Sequence, residues 1–157
     1  MTIVNVAMAD LKLAKSPDLL VTVLGSCVGI ALYDHTNKLG GLSHIMLPYI
    51  GTSSKNQMKY ADSAIDLLIR MMLRKGAKKE HIIAKITGGA NMYPTLAVKG
   101  PLEIGKRNVD AVKKMLKENC IDIIAEDLFG ECGRSIEFST SNGKILIKRS
   151  GKGDIII

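Results

Sequence analysis

Two residues in the N-terminal third have the types and setting for nucleophilic chemistry. Cys27 lies in Gly25-Ser26-Cys27-Val28-Gly29, a thiol between small residues at the junction of two apolar runs. Glycines there permit a sharp turn and close approach by another molecule. A cysteine on such a turn can present its sulfur outward, and the N–H groups around it can hold an oxyanion. The same segment also admits a buried structural thiol, since free cysteine is among the most buried residue types. His44, in Ser43-His44-Ile45-Met46-Leu47-Pro48, is the second residue. A thiol beside an imidazole can pass its proton to the ring, and the resulting thiolate–imidazolium pair has a depressed thiol pKa. Such a thiolate attacks carboxamides and esters. A third group usually accepts the other ring N–H, and the candidate is Thr22, five residues before Cys27, through its hydroxyl. Ser26, Gly25 and Val28 flank the thiol as candidate substrate or oxyanion contacts.

For Cys27 and His44 to meet, the chain must fold back between them. Val28–Tyr33 and Leu39–Leu47 are apolar strands, and Asp34–Lys38 (DHTNK) has turn composition. A hairpin turn centred near Thr36 makes paired residue numbers sum to about 71–73, which sets His44 opposite residue 27, 28 or 29. Pleat alternation could send the two side chains to opposite faces, and a turn at Gly25-Ser26 is expected to break it. His35 in the turn and His81 at a strand start are expected at the surface.

The other expected elements are strands over Thr2–Ala7, Leu19–Leu24, Ile82–Thr87, Ile121–Glu126, Ser135–Ser139 and Lys144–Lys148, the last two joined at Asn142-Gly143. Apolar spacing predicts a helix over Lys55–Lys75 that stops at Gly76, and a second helix N-capped by Asn108. Gly88–Glu103 is expected to be a long functional loop. This order describes one α/β domain over residues 1–157, with a mixed, largely antiparallel sheet and two principal helices.

Composition narrows the functions. The chain has 157 residues, 46% hydrophobic and 24% charged, enough for a core without disulfide staples. No apolar run approaches the roughly 18 residues of a membrane span, and the N-terminus lacks a basic leader region. The expectation is a soluble, cytoplasmic protein with no membrane insertion. Three cysteines without a C-x-x-C pair argue against a zinc site or disulfide framework, and no cofactor is expected. A net charge of +7 favours acidic partners. Scattered basic residues and the absence of Trp among few aromatics argue against nucleic acid. Gly100–Arg107 approaches a P-loop but has Arg107 where a hydroxyl must ligate magnesium, so no nucleotide site is assigned. Asp127 and Arg134 are expected to form an ion pair that fixes their loop.

Taken together, these segments resemble the CheD family of chemoreceptor glutamine deamidases. The resemblance is carried by Leu24-Gly25-Ser26-Cys27-Val28, Tyr33-Asp34, His44 with Met46-Leu47-Pro48, Gly88-Gly89-Ala90, Ile104-Gly105-Lys106-Arg107-Asn108, and Asp127 with Gly133-Arg134, over about residues 3–148. Phe129 departs from it, standing where a glycine is expected. The resemblance implies a layered α/β sandwich similar to cytotoxic-factor-type cysteine deamidases. It implies a Cys27 nucleophile, a His44 base and a Thr22 orienting hydroxyl, without metal. The implied reaction converts selected glutamines of methyl-accepting chemotaxis receptors to glutamate. A CheC-type response-regulator phosphatase is the implied partner, and the expected assembly is a monomer or a heterodimer with it. The alternative is a regulatory module that only modulates that phosphatase.

Overall fold

The computed structural model describes residues 1–52, 56–93 and 103–157. In chain order the strands are β1 (Ile3–Asn5), β2 (Asp10–Lys15), β3 (Leu19–Leu24), β4 (Val28–Asp34) and β5 (Leu39–Ile45). After them come α1 (Ala61–Arg74), β6 (Ile82–Gly88), α2 (Ile104–Glu118), β7 (Ile123–Leu128), β8 (Arg134–Ser139), β9 (Ile145–Arg149) and β10 (Lys152–Ile156). Instead of one sheet there are two of five strands, ordered β1-β3-β8-β9-β10 and β2-β5-β4-β6-β7. Both are mixed and mostly antiparallel. The parallel pairs are β1 with β3, and β6 with β7, which α2 connects as a crossover.

Two cores define three layers. Val28, Ile30, Leu32 and Ile45 pack on Ile65, Leu68 and Met72 of α1 and on Val112 and Leu116 of α2. On the other face of the same sheet, Ala31, Tyr33 and Leu42 pack on Leu20, Leu24, Ile136 and Phe138 of the first sheet. The second sheet is thus covered on both sides, and every residue of β4 and β5 is buried. That is why these strands read as unbroken apolar runs and not as an alternation.

The expected hairpin forms, with Gly29 opposite His44 and Asp34 opposite Leu39, a register sum of 73. Asp34 closes the turn by accepting from the N–H groups of Thr36 and Asn37 and from the Asn37 amide. The Asn142-Gly143 turn also forms, with Gly143 at φ 76°. Other boundaries moved. Lys55 lies outside the described residues, and α1 begins only at Ala61, after a 3-10 turn over Gln57–Lys59. β2 and β10 were not anticipated; they are edge strands, and edge positions demand little of sequence. Asn108 does not cap α2 but lies within it, fully buried. Of the expected loop Gly88–Glu103, residues 94–102 lie outside the described set, as does the start of the P-loop-like stretch.

Candidate active site

The hairpin register decides which way the candidate residues face. A sum of 73 gives Cys27 the same parity as Gly29, the residue opposite His44. Ala31 and Leu42 face the inter-sheet side, and Cys27, in the bend just before β4, keeps to that side. Cys27 packs against the inter-sheet core accordingly. Thr22 arrives on β3 from the facing sheet. The site thus lies at the end of the seam between the two sheets, with residues from both.

Thr22 Oγ1 lies 2.7 Å from the Val6 carbonyl and 2.8 Å from His44 Nδ1. A hydroxyl has one proton, and the carbonyl can only accept, so that proton goes to Val6. The oxygen must then accept from Nδ1–H. This assigns the imidazole tautomer: Nδ1 carries the proton and Nε2 keeps its lone pair. Thr22 and His44 are both buried, and Nε2 is buried without a hydrogen-bond partner. The connection between β1 and β2 that supplies Val6 also grips the histidine backbone, through Ala9 N–H to the His44 carbonyl at 3.0 Å.

Cys27, His44, Gly25 and Ser26 line one cleft of about 360 Å³. Its exposed apolar residues are Met8, Val23, Met92 and Tyr93. The volume is at the small end for ligand sites and suits a single side chain. Val28 is not part of it, because its side chain is fully buried in the helix-side core. Cys27 is half-buried. Burial pushes its thiol above the usual range, and its own backbone N–H pulls only partly in the other direction. Burial also pushes the His44 imidazole below its ordinary value. Both directions work against charge, and so against the ion pair that a thiol beside an imidazole can form.

The cysteine turn is anchored from behind. Ala90 N–H donates to the Gly25 carbonyl at 3.0 Å and Gly89 N–H to the Cys27 carbonyl at 2.9 Å. Gly88 sits at φ 113°, and a Cβ there would collide with the Cys27 carbonyl, so this position requires glycine. The ion pair of Arg134 and Asp127 forms at 2.7 Å and is largely buried. Arg134 also donates to the carbonyls of Asp127 and Phe129. Phe129 has φ 68°, the left-handed region where a glycine was expected. Its N–H donates to the Gly88 carbonyl, and Asn91 N–H donates to that of Gly130, so this loop backs the segment lining the cleft. His35 is exposed and His81 half-buried, with rings 5.5 Å apart, and neither lines the cleft. Sequence reasoning missed the side chain joining the turn to the histidine strand, that of Asn108. Its amide bonds the carbonyls of Ser26 and Met46. An asparagine inside an apolar helix face was the signal available.

The family described as CheD chemotactic sensory transduction matches residues 46–149. The chain belongs to the CheD family. Nearly full-length relatives agree. A probable chemoreceptor glutamine deamidase CheD of Caldanaerobacter subterraneus subsp. tengcongensis is 47% identical, covering 96% of this chain and 95% of its own. The protein of the same description from Clostridium botulinum strain Eklund 17B is 51% identical, covering 97% and 96%. Among solved structures, the Bacillus licheniformis hypothetical protein YfiH is similar over 71% of this chain and 46% of its own, with a TM-score of 0.41 and 16% identity. The CheD family match begins downstream of Thr22, Cys27 and His44, so the whole-chain relatives are what span the candidate site.

Proposed function

We propose that this chain is a protein-glutamine deamidase that converts glutamine side chains of chemoreceptors to glutamate, with Cys27 as nucleophile, His44 as base and Thr22 as the hydroxyl that orients it. The reaction and substrate class follow the names of its CheD relatives. The observation that carries the residue roles is the proton inventory at His44. With Nδ1–H committed to Thr22, the lone pair on Nε2 is unpartnered in the histidine that lines the cleft with Cys27.

Because burial works against charge on both groups, proton transfer accompanies attack. As Sγ adds to the carboxamide carbon, Nε2 takes the thiol proton, and the carbonyl oxygen becomes an oxyanion held by backbone N–H groups of the Cys27 turn. The imidazolium returns that proton to the departing nitrogen. Ammonia leaves and a thioester remains. Water then gives a proton to Nε2 as its oxygen attacks the thioester, and collapse returns the proton to sulfur with release of glutamate. No step requires a cofactor, and among the described residues no cluster of three or more metal-ligating side chains occurs.

The surroundings of this activity are proposed with it. The three free cysteines, Cys27, Cys120 and Cys132, suit a reducing compartment such as the cytoplasm, and no described helix is long and apolar enough to cross a membrane. A CheC-type phosphatase is the proposed partner, with the chain monomeric or paired with it. Mass spectrometry of receptor peptides incubated with the protein tests the reading. Each target glutamine should gain about one dalton, the mass change required by the acyl-enzyme route. Cys27→Ala should give none, and conversion by that variant would overturn the assignment.

A further inference from the structure

Asn108 is fully buried in α2, on a face otherwise made of Val109, Ala111, Val112 and Leu116. Placing an amide there costs desolvation unless its groups are paired. Its Nδ2 donates to the Met46 carbonyl at 2.9 Å and to the Ser26 carbonyl at 3.3 Å, and Oδ1 has no partner among the described residues. The flipped amide would set Oδ1 against two carbonyl oxygens, so chemistry selects this orientation. One side chain thus ties the turn before Cys27 to the strand end just after His44.

The direction of these bonds matters more than their number. In a trans peptide the C=O and the following N–H point opposite ways. The Gly25 carbonyl is held by Ala90 N–H and the Ser26 carbonyl by Asn108. The N–H groups of Ser26 and Cys27 share those two peptide planes and are turned away from the anchors. Neither donates to another described residue's backbone or side chain. We propose that Asn108 is a positioning residue for the oxyanion hole: by holding the Ser26 carbonyl it aims the Cys27 N–H at the oxygen that becomes negative when Sγ adds to the carboxamide. Its second bond, to Met46, keeps the imidazole strand in register with that turn. The inference rests on the deamidase reading above and adds to it a residue outside the Cys-His-Thr set.

Asn108→Leu removes both donors at similar size. Two reactions of Cys27 then separate aiming from general damage. Alkylation by iodoacetamide displaces iodide at a saturated carbon and forms no oxyanion, whereas deamidation forms one in each half-reaction. Peptide-resolved mass spectrometry should show Cys27 alkylation within about threefold of wild type, while kcat for ammonia release falls about 10²–10³-fold, the usual cost of a lost oxyanion donor. KM should change little. Affinity for a receptor peptide bearing glutamine aldehyde, whose hemithioacetal oxygen occupies the same hole, should fall with kcat. Parallel loss of alkylation and deamidation, or unchanged kcat, overturns the proposal. If N108L does not fold, Asn108→Ser undergoes the same measurements, and failure of that variant to fold also overturns it in favour of a purely structural role. Ammonia release by Cys27→Ala would instead sink the deamidase reading. Loss of activity in Cys27→Ala without selective loss in N108L would sink this inference alone.

Discussion

Each proton around His44 has one place to go, and the proposed chemistry depends on that. Thr22→Val keeps shape but leaves Nδ1–H and the Val6 carbonyl without their partner, and it frees the ring to adopt the other tautomer. We expect kcat to fall about 10²-fold, within the range general-base catalysis contributes, with Thr22→Ser restoring most of it. Steady-state ammonia release on the three proteins checks this. Burial of the pair makes a second prediction. Since burial lowers the His44 pKa, the acid limb of kcat/KM should lie below the ordinary imidazole value of about 6.5. Since burial raises the Cys27 pKa, its alkylation should keep accelerating to alkaline pH. A preformed ion pair would instead give alkylation that is fast and flat from mildly acidic pH. Stability follows the same sign. The folded state resists protonating His44, so this contribution is complete above about pH 6.5 and is lost as pH falls through the lower folded value. At this scale Cys27 and His44 were candidates by residue type and Thr22 by its hydroxyl, and the structure adds the 2.8 Å contact between Thr22 and His44 Nδ1. Asn108 was misread as a cap because an asparagine near a helix start usually is one.

Among the elements, the β4–β5 hairpin was the most readable, because its turn chemistry sets its register and the register sets the faces. Summing to 73 sets Gly29 opposite His44, and the bend before β4 leaves Cys27 on the inter-sheet side. The loop after β7 is different, since its conformation depends on a long-range anchor. Arg134 holds Asp127 and two loop carbonyls from a buried position. Arg134→Met fills the volume but removes the short partner of Asp127 and leaves its carboxylate only the longer contact to Arg149 at 3.8 Å; breaking a buried pair costs up to about 3–5 kcal/mol. Urea and thermal melts should show this, the latter as a fall of roughly 6–20 °C at this chain length. A change within error would mean that the pair does not fix the loop. The Asp127–Arg134 pairing was visible in the sequence as complementary charge. β2 was less so, although Lys12 separates Leu11 and Leu13, because it is an edge strand whose pairing to β5 is long-range.

On the scale of the molecule, a basic protein with a cleft sized for one side chain fits an acidic macromolecular substrate. With a net charge of +7, association should be steered by charge and screened by salt. Raising NaCl from about 50 to about 300 mM should lower kcat/KM on an intact receptor several-fold, while an uncharged glutamine peptide changes little. Equal salt sensitivity for both substrates would assign no role to the protein's field.

The sequence by itself determined the α/β class, the hairpin and its register to within a residue, which brings the strand of the imidazole alongside the chain that carries the thiol. These are consequences of local turn chemistry and a period of two, which short windows contain. The tertiary structure alone decided that two sheets stack. Only that stacking sets the Thr22 hydroxyl against Nδ1 and the Asn108 amide against the Ser26 carbonyl. It also decided that burial works against charge on both groups. Those outcomes depend on contacts between elements distant in the chain and on exclusion of water, and no local pattern of residues encodes either.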